Sequence, residues 1–442
     1  MIQRRSILAL GVMASAAALA SPLRAEPAVD ASAFGLDGTS SANQSGALQA
    51  AIDAATGLGQ PLALPSGTYT VTDIRITAPL RLQGSGQTIL ALAAGGDSIL
   101  SIENTADVIL DGLTFAGNGN GTGRSDTGLV QLVDATDTTL RDCRFTDAPA
   151  QGLLLARSAA SITGCSFSRS ADAAIYSIDS LGLLISGNRI TGCGNGGILI
   201  WRSEPGWDRS IITNNAVSSI DWRDGGNGQN GNGINIFRAD GVIVSDNQIS
   251  DCAFSAIRLN TANDTQITGN TCTNGGEIAI YSEFAFAGSI IANNLVDGAA
   301  GGISMTNWDN GGRLAMCSGN IVRNITATSR TNPDVNPYGI AAEADAVISG
   351  NIIDTVPGIG IGVGWGPFLR DVLVSDNLIR GTERGIVVSV AEGAGAARIT
   401  GNLISETLHP LVGARWSEIA STRLQDDAEQ FPTLTVSGNT LR

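Results

Sequence analysis

The sequence predicts an all-β fold, a single-stranded solenoid in which short strands stack turn upon turn. Three observations carry this reading. A six-residue phrase, Ile185-Ser186-Gly187-Asn188-Arg189-Ile190, returns with its asparagine at Asn188, Asn215, Asn247, Asn270, Asn294, Asn320, Asn351, Asn377, Asn402 and Asn439, and with Cys143 and Cys165 in that place in two earlier copies. Regular copies lie 23 to 25 residues apart, the length of one solenoid turn, with apolar residues alternating around them as strands require. A second phrase, a small residue followed by Ile or Leu, precedes each copy, as in Gly197-Ile198, Gly233-Ile234, Ala256-Ile257, Ala279-Ile280, Gly302-Ile303 and Gly339-Ile340. Composition agrees, since 56 Gly and only 5% aromatic residues suit short strands and tight turns better than helices.

Taken in order, the chain opens with Arg4-Arg5-Ser6-Ile7-Leu8 and an apolar run from Ala9 to Ala20. This resembles a twin-arginine export signal, assigned to residues 1–25, with cleavage after Ala20 or Ala25 left open. The run is too short for a permanent membrane span, so the mature chain is expected in the periplasm or secreted, without a membrane partner. Residues 26–442 then form one elongated β-helix domain, because a repeat array grows by stacking and needs no division. Within residues 42–56, Ala47, Leu48, Ala51, Ile52 and Ala55 fall on one face of an amphipathic helix that would cover the open first rung. At the other end the rhythm breaks over residues 405–433, which contain His409, Trp416, Asp426 and Asp427 and read as an insert or cap.

The phrases Gly35-Leu36-Asp37-Gly38-Thr39, Ala47-Leu48-Gln49-Ala50-Ala51-Ile52 and Leu64-Pro65-Ser66-Gly67-Thr68-Tyr69 resemble the entry of pectate-lyase-like right-handed parallel β-helix proteins. With the twin-arginine signal, the chain resembles a family of exported β-helix repeat proteins of unknown function. The resemblance implies a right-handed winding with an N-terminal capping helix, and its usual asparagine ladder agrees with a structural role for the repeated asparagines. The residues argue the same role, because Asn tolerates the left-handed backbone of a tight turn and stacked amides can bond from rung to rung.

If the Ile of each second phrase points inward, the next residue and the one two positions beyond it point outward. The outward pairs are Leu199 with Trp201, Asn235 with Phe237, Arg258 with Asn260, Tyr281 with Glu283, Ser304 with Thr306, and Ala341 with Glu343. Turns before and after offer bland pairs, so chemical variety is concentrated mid-solenoid. Loop lengths point there too: nine residues separate the asparagine from the next small residue in regular turns, but 18 follow Asn215 and 19 follow Asn320. The first long loop carries Asp221, Trp222, Arg223 and Asp224; the second carries Arg330, Asp334 and Tyr338. On the opposite edge stand Trp201, Glu204, Trp207 and Asp208, then Trp308 and Asp309, then Trp365 and Phe368.

Arg, carboxylate, Tyr and amide groups between aromatic walls form the mixture expected of a groove that grips a polysaccharide or oligosaccharide. The substrate-binding candidates are Asn235, Phe237, Arg238, Asn260, Trp201, Trp308, Asp309 and Trp222. Two reactions can be written. For hydrolysis Glu283 and Glu343 lie two rungs apart, about 9.6 Å at the backbone, with Asp309 or Glu204 able to replace either. For elimination Arg258 or Tyr281 takes the proton beside a sugar carboxylate while Arg238 neutralises the enolate. A non-catalytic carbohydrate-binding or adhesin-like protein is the alternative.

The net charge of −15, with no lysine in the chain, excludes a nucleic-acid partner and favours a neutral or cationic glycan over a polyuronate. No cofactor is called for. No cysteine spacing resembles a zinc site, and the Asp cluster that many pectate lyases use for calcium is not visible on these strands. The six cysteines read as buried thiols, with a Cys143–Cys165 disulfide as the alternative. The chain is expected to be a monomer.

Overall fold

The computed structural model describes residues 28–226 and 228–442. The export-signal reading lies outside the described residues. Strands stack in parallel on the strand one turn earlier and one turn later, so every repeated position forms a column along the stack. The inward column of first strands holds Ile198, Ile234, Ile257, Ile280, Ile303, Ile340, Ile361 and Ile386 in unbroken register. All eight are fully buried, each contributing roughly 1.5–3 kcal/mol of apolar burial. In the third-strand column, Phe115, Phe145 and Phe167 stack inside the core with ring centroids 5.1 and 4.5 Å apart. The result is an all-β, right-handed parallel β-helix of about 14 turns.

The asparagine column works as a ladder, with a division of labour that differs from the expectation. The left-handed backbone belongs to the residue before each ladder asparagine: Gly187 (φ 67°), Asn214 (57°), Asp246 (56°), Gly269 (70°) and Asn293 (58°). The ladder asparagines themselves are absent from the positive-φ positions. Their side chains instead tie turn to turn. Asn270 Nδ2 donates to Asn294 Oδ1 at 3.0 Å and to the Val244 carbonyl at 3.0 Å, while its backbone N–H donates to the same Asn294 oxygen at 2.9 Å. This pattern runs from Asn188 to Asn439. At its N-terminal end the Cys165 N–H donates to Asn188 Oδ1 at 2.9 Å. Cys143 and Cys165 lie buried as free thiols, as do the other four cysteines.

At the N-terminus, Ser45–Leu58 is a helix that buries Leu48, Ala51, Ile52 and Ala55 against the first strands. Gln44 pins the preceding turn, accepting from the Asp37 N–H at 2.8 Å and donating to the Asp37 carbonyl at 3.0 Å. Gly38 is required there, because a Cβ would lie 2.8 Å from the Cα of Gly67.

At the C-terminus the expected insert begins later than residue 405. The strand Leu403–Arg415 continues the stack, pairing Leu411 with Ile386 and Val412 with Val387. Pro410 and Gly413 disguise this rung, since neither fits the small-residue-then-Ile phrase. The departure starts at Trp416, where the chain doubles back as an antiparallel hairpin to Glu418–Ser421 and then forms the short helix Leu424–Asp427.

Candidate functional site

The outward residues of the first strands also form columns: Leu199, Asn235, Arg258, Tyr281, Ser304 and Ala341 in one, and Trp201, Phe237, Asn260 and Glu283 in the other. A cleft of about 380 Å³ opens on this face, floored by Asn235, Arg258, Asn260 and Glu283 and flanked by Trp201 and Phe237. Trp201 Nε1 donates to Asn235 Oδ1 at 3.1 Å. Its ring meets Tyr176 and Phe237 edge to face, with centroids 5.4 and 5.9 Å apart, which makes a short aromatic ridge along one edge.

The floor is dominated by one ion cluster. Arg258 Nε and Nη2 donate to the two Glu283 oxygens at 2.7 and 2.8 Å, and Nη1 donates to Glu277 Oε2 at 2.9 Å. Arg258 is 7% exposed and Glu283 2%, so both charges depend on each other rather than on water. Asn260 Nδ2 donates to Glu283 Oε1 at 3.1 Å, and Asn332 Nδ2 donates to Glu277 Oε1 at 2.9 Å. Asn332 arrives from the long loop after Arg323, which folds back over earlier turns. There Thr331 Oγ1 donates to the Ala253 carbonyl at 2.8 Å and Ser329 Oγ to the Gly276 carbonyl at 2.6 Å.

This geometry revises the expected roles. Burial opposes the charge of Arg258, but Glu283 and Glu277 outweigh it and hold the guanidinium more firmly protonated, so Arg258 is not a base. Burial, with Glu283 adding to it, pushes the Tyr281 phenol up to about 12. Tyr281 is therefore a poor base as well, and it serves instead as the ring over which the Arg258 guanidinium lies, 5.1 Å from its centroid. Neither residue is therefore the base that the elimination scheme assigned to it. Glu283 has both oxygens engaged, which suits positioning better than proton transfer.

Glu343 stands apart from that cluster, two rungs along, and accepts the Trp308 N–H at 2.7 Å. Burial pushes its carboxyl up to about 7; the Trp308 and Asn307 N–H groups pull the other way, and the Asp309 charge adds to the rise. The Trp308 ring carries the Arg370 guanidinium 4.9 Å from its centroid. Across the trough, the Tyr338 phenol, raised by burial, stands by Tyr281 and Ser304.

Other candidates lie outside the cleft. Trp222 packs edge to face on buried Phe254 at 5.1 Å and donates to the Gly226 carbonyl, so it pins its own loop. Arg238 stacks on Phe237 at 4.8 Å and donates to the Ser203 carbonyl at 2.6 Å. Glu204 is exposed and does not line the cleft. The residue that sequence reasoning missed is Glu277, and a signal was present. It occupies a turn position held elsewhere by Asn195, Gly231, Phe254 and Ala300, so a buried charge there breaks the pattern. Among the described residues, no group of three or more His, Cys, Asp and Glu side chains gathers in a way that could hold a metal ion.

Stack and trough together define a parallel β-helix with a ligand-sized face on its first strands. Residues 151–311 match the family described as "Right handed beta helix region". No curated protein sequence matches the chain. Similar solved structures include PfbA, a surface adhesin of Streptococcus pneumoniae, at 15% identity and TM-score 0.53, covering 89% of this chain and 94% of that one. The alginate lyase AlyF-OU02 in complex with G6 is 15% identical with TM-score 0.52, covering 94% and 96%. Tailspike protein 3 of bacteriophage CBA120 is 12% identical with TM-score 0.53, covering 93% of this chain and 61% of that one. At these identities the likeness establishes the fold alone.

Proposed function

We propose that the protein is an exported monomer, with residues 26–442 as its single domain, that hydrolyses a neutral polysaccharide lying along the first-strand face. The observation that carries the proposal is Glu343, a carboxyl held near pKa 7 on the edge of an aromatic-walled trough and next to a second carboxylate, Asp309. A carboxyl tuned to this range can protonate a glycosidic oxygen at neutral pH, while an ionised partner activates water on the other face of the sugar. Glu343 takes the acid role and Asp309 the base role. The Arg258–Glu283–Asn260 platform and the Trp201–Phe237 ridge bind neighbouring units. The absence of a cation free of carboxylates on the cleft floor, among the described residues, supports a neutral glycan over a polyuronate.

The test is a panel of polysaccharides assayed for both new reducing ends and unsaturated products. Reducing ends without unsaturation are expected, and Glu343→Gln abolishes them while retention on the glycan persists. Unsaturated products overturn the hydrolytic assignment. A second reading, a carbohydrate-binding or adhesin-like surface, is favoured by one observation: the Arg258 cleft neutralises its own charges. Retention without turnover on every glycan of the panel would decide for it.

A further inference from the structure

A second cleft, of about 400 Å³, opens on the same face nearer the C-terminus, lined by Pro337, Pro357, Trp365, Glu383, Arg384 and Trp416 among others. The two clefts share no lining residue, and one column of outward positions leads from the first to the second. The outward column runs in register from Arg258 through Tyr281, Ser304, Ala341 and Gly362 to Val387, six rungs whose five spacings total about 24 Å at ~4.8 Å each. Side chains shrink along it from Arg and Tyr to Ser, Ala and Gly; Ser304 is covered, 1% exposed beside the Tyr338 phenol, and the column opens again toward Gly362. At Gly362 an added Cβ would meet only the Ala341 Cβ, at 3.8 Å.

One edge of this trough is an unbroken aromatic chain. Trp308 meets Phe368 at 6.5 Å, Phe368 meets Trp416 at 6.4 Å, and Trp416 meets Trp365 at 5.6 Å, each pair near perpendicular. Trp365 and Trp416 are 49% and 48% exposed, which leaves much of each indole open to solvent. Trp416 sits at the tip of the C-terminal hairpin with φ 57°, a left-handed conformation that a bulky residue rarely adopts. Its indole lies over Gly366, where a Cβ would come within 2.5 Å of the ring. A strained backbone, a glycine cleared beneath it and a half-exposed ring form a combination that core packing does not call for. Polar groups are present as well: Arg384 meets Glu383 only at 3.7 Å, and its buried Nε has no hydrogen-bond acceptor among the described residues.

We infer that the second cleft is a distal subsite for the same glycan chain, so that the protein engages a polymer of about six or more sugar units laid parallel to the solenoid axis. A pyranose unit is about as long as one rung spacing, and the six rungs of the column set that number. The inference rests on the proposed glycan function and adds to it the length and direction of the ligand.

The experiment has two stages. Electrophoresis of the full mature chain through gels containing glucan, mannan, galactan or xylan identifies a retaining polymer. Calorimetric titration with size-graded oligosaccharides of that polymer, from trisaccharide to octasaccharide, follows. Wild-type affinity is expected to rise about tenfold or more between the two lengths, the worth of one or two aromatic contacts. Trp416→Ala removes that rise and leaves trisaccharide affinity unchanged, whereas Trp416→Phe keeps part of it. An undiminished rise in Trp416→Ala overturns the distal subsite while leaving the glycan function standing. Failure of every gel to retain the wild-type protein overturns both.

Discussion

Replacing Glu343 by Gln tests the tuned carboxyl directly, because the amide keeps the size of the side chain and can still accept the Trp308 N–H. The carboxyl is raised from an ordinary value of 4.5 to about 7. The folded state therefore binds its proton more tightly than the unfolded state. Below about 4.5 the group is protonated in both states and contributes no penalty. As pH rises toward 7 the folded chain must ionise a half-buried acid, and stability is lost; above about 7 the loss is complete. At 1.36 kcal/mol per unit the ceiling is about 3 kcal/mol, and residual solvent contact brings it to about 1–2 kcal/mol. The variant carries no such penalty. Its melting temperature minus that of the wild type should increase across pH 4.5 to 7.5, by on the order of 2 °C for a chain of this length. Thermal scans at a fixed rate over that range supply the measurement. A difference that stays constant with pH refutes the assignment of a raised carboxyl, and with it the acid role.

Three further outcomes are expected. Asn294→Ala removes four side-chain hydrogen bonds and strips partners from the buried Asn270 N–H and Ile267 carbonyl. It should cost about 3–5 kcal/mol in urea denaturation, and a cost below about 1 kcal/mol would contradict the ladder. Trp201→Ala removes the donor to Asn235 and the centre of the aromatic ridge, so retention in a polysaccharide gel should weaken roughly tenfold; unchanged migration counts against the first cleft. At Gly228, with φ 121°, an added Cβ would lie 2.2 Å from Arg258 Nη1. Gly228→Ala should expel the guanidinium and lower stability by about 2–4 kcal/mol, and a crystal structure of the variant retaining the Arg258–Glu283 pair would show the reasoning to be wrong.

The solenoid was legible in the sequence because its determinants are local and periodic. An inward Ile every turn and a ladder asparagine every turn can be counted without knowing what touches what. The outward columns followed from the same arithmetic, which is why Trp201, Asn235, Phe237, Arg258, Asn260 and Glu283 were brought to one cleft in register. What could not be counted was pairing across the face. That Arg258 is clamped by Glu283 and Glu277 depends on side-chain reach and burial, and it turned a candidate base into a fixed cation. The backbone role of the asparagines was misplaced by one residue for a related reason. Gly, Asp and Asn all serve as the left-handed residue, so position 187 and its equivalents vary in type while the hydrogen-bonding asparagine after them does not. Trp416 stayed hidden because the rung before it breaks the phrase with Pro410 and Gly413.

The asparagine ladder has a consequence for how such a chain changes size. Each amide bonds only to the turns on either side of it, so removing or duplicating one whole turn rejoins every bond, and a turn that grows within a loop, as after Asn215 and Asn320, keeps its bonds too. The first-strand face therefore lengthens or shortens in whole rungs. In a molecule built this way, the reach of the trough is set by arithmetic on the number of turns, and ligand length can be altered without redesigning a single side chain.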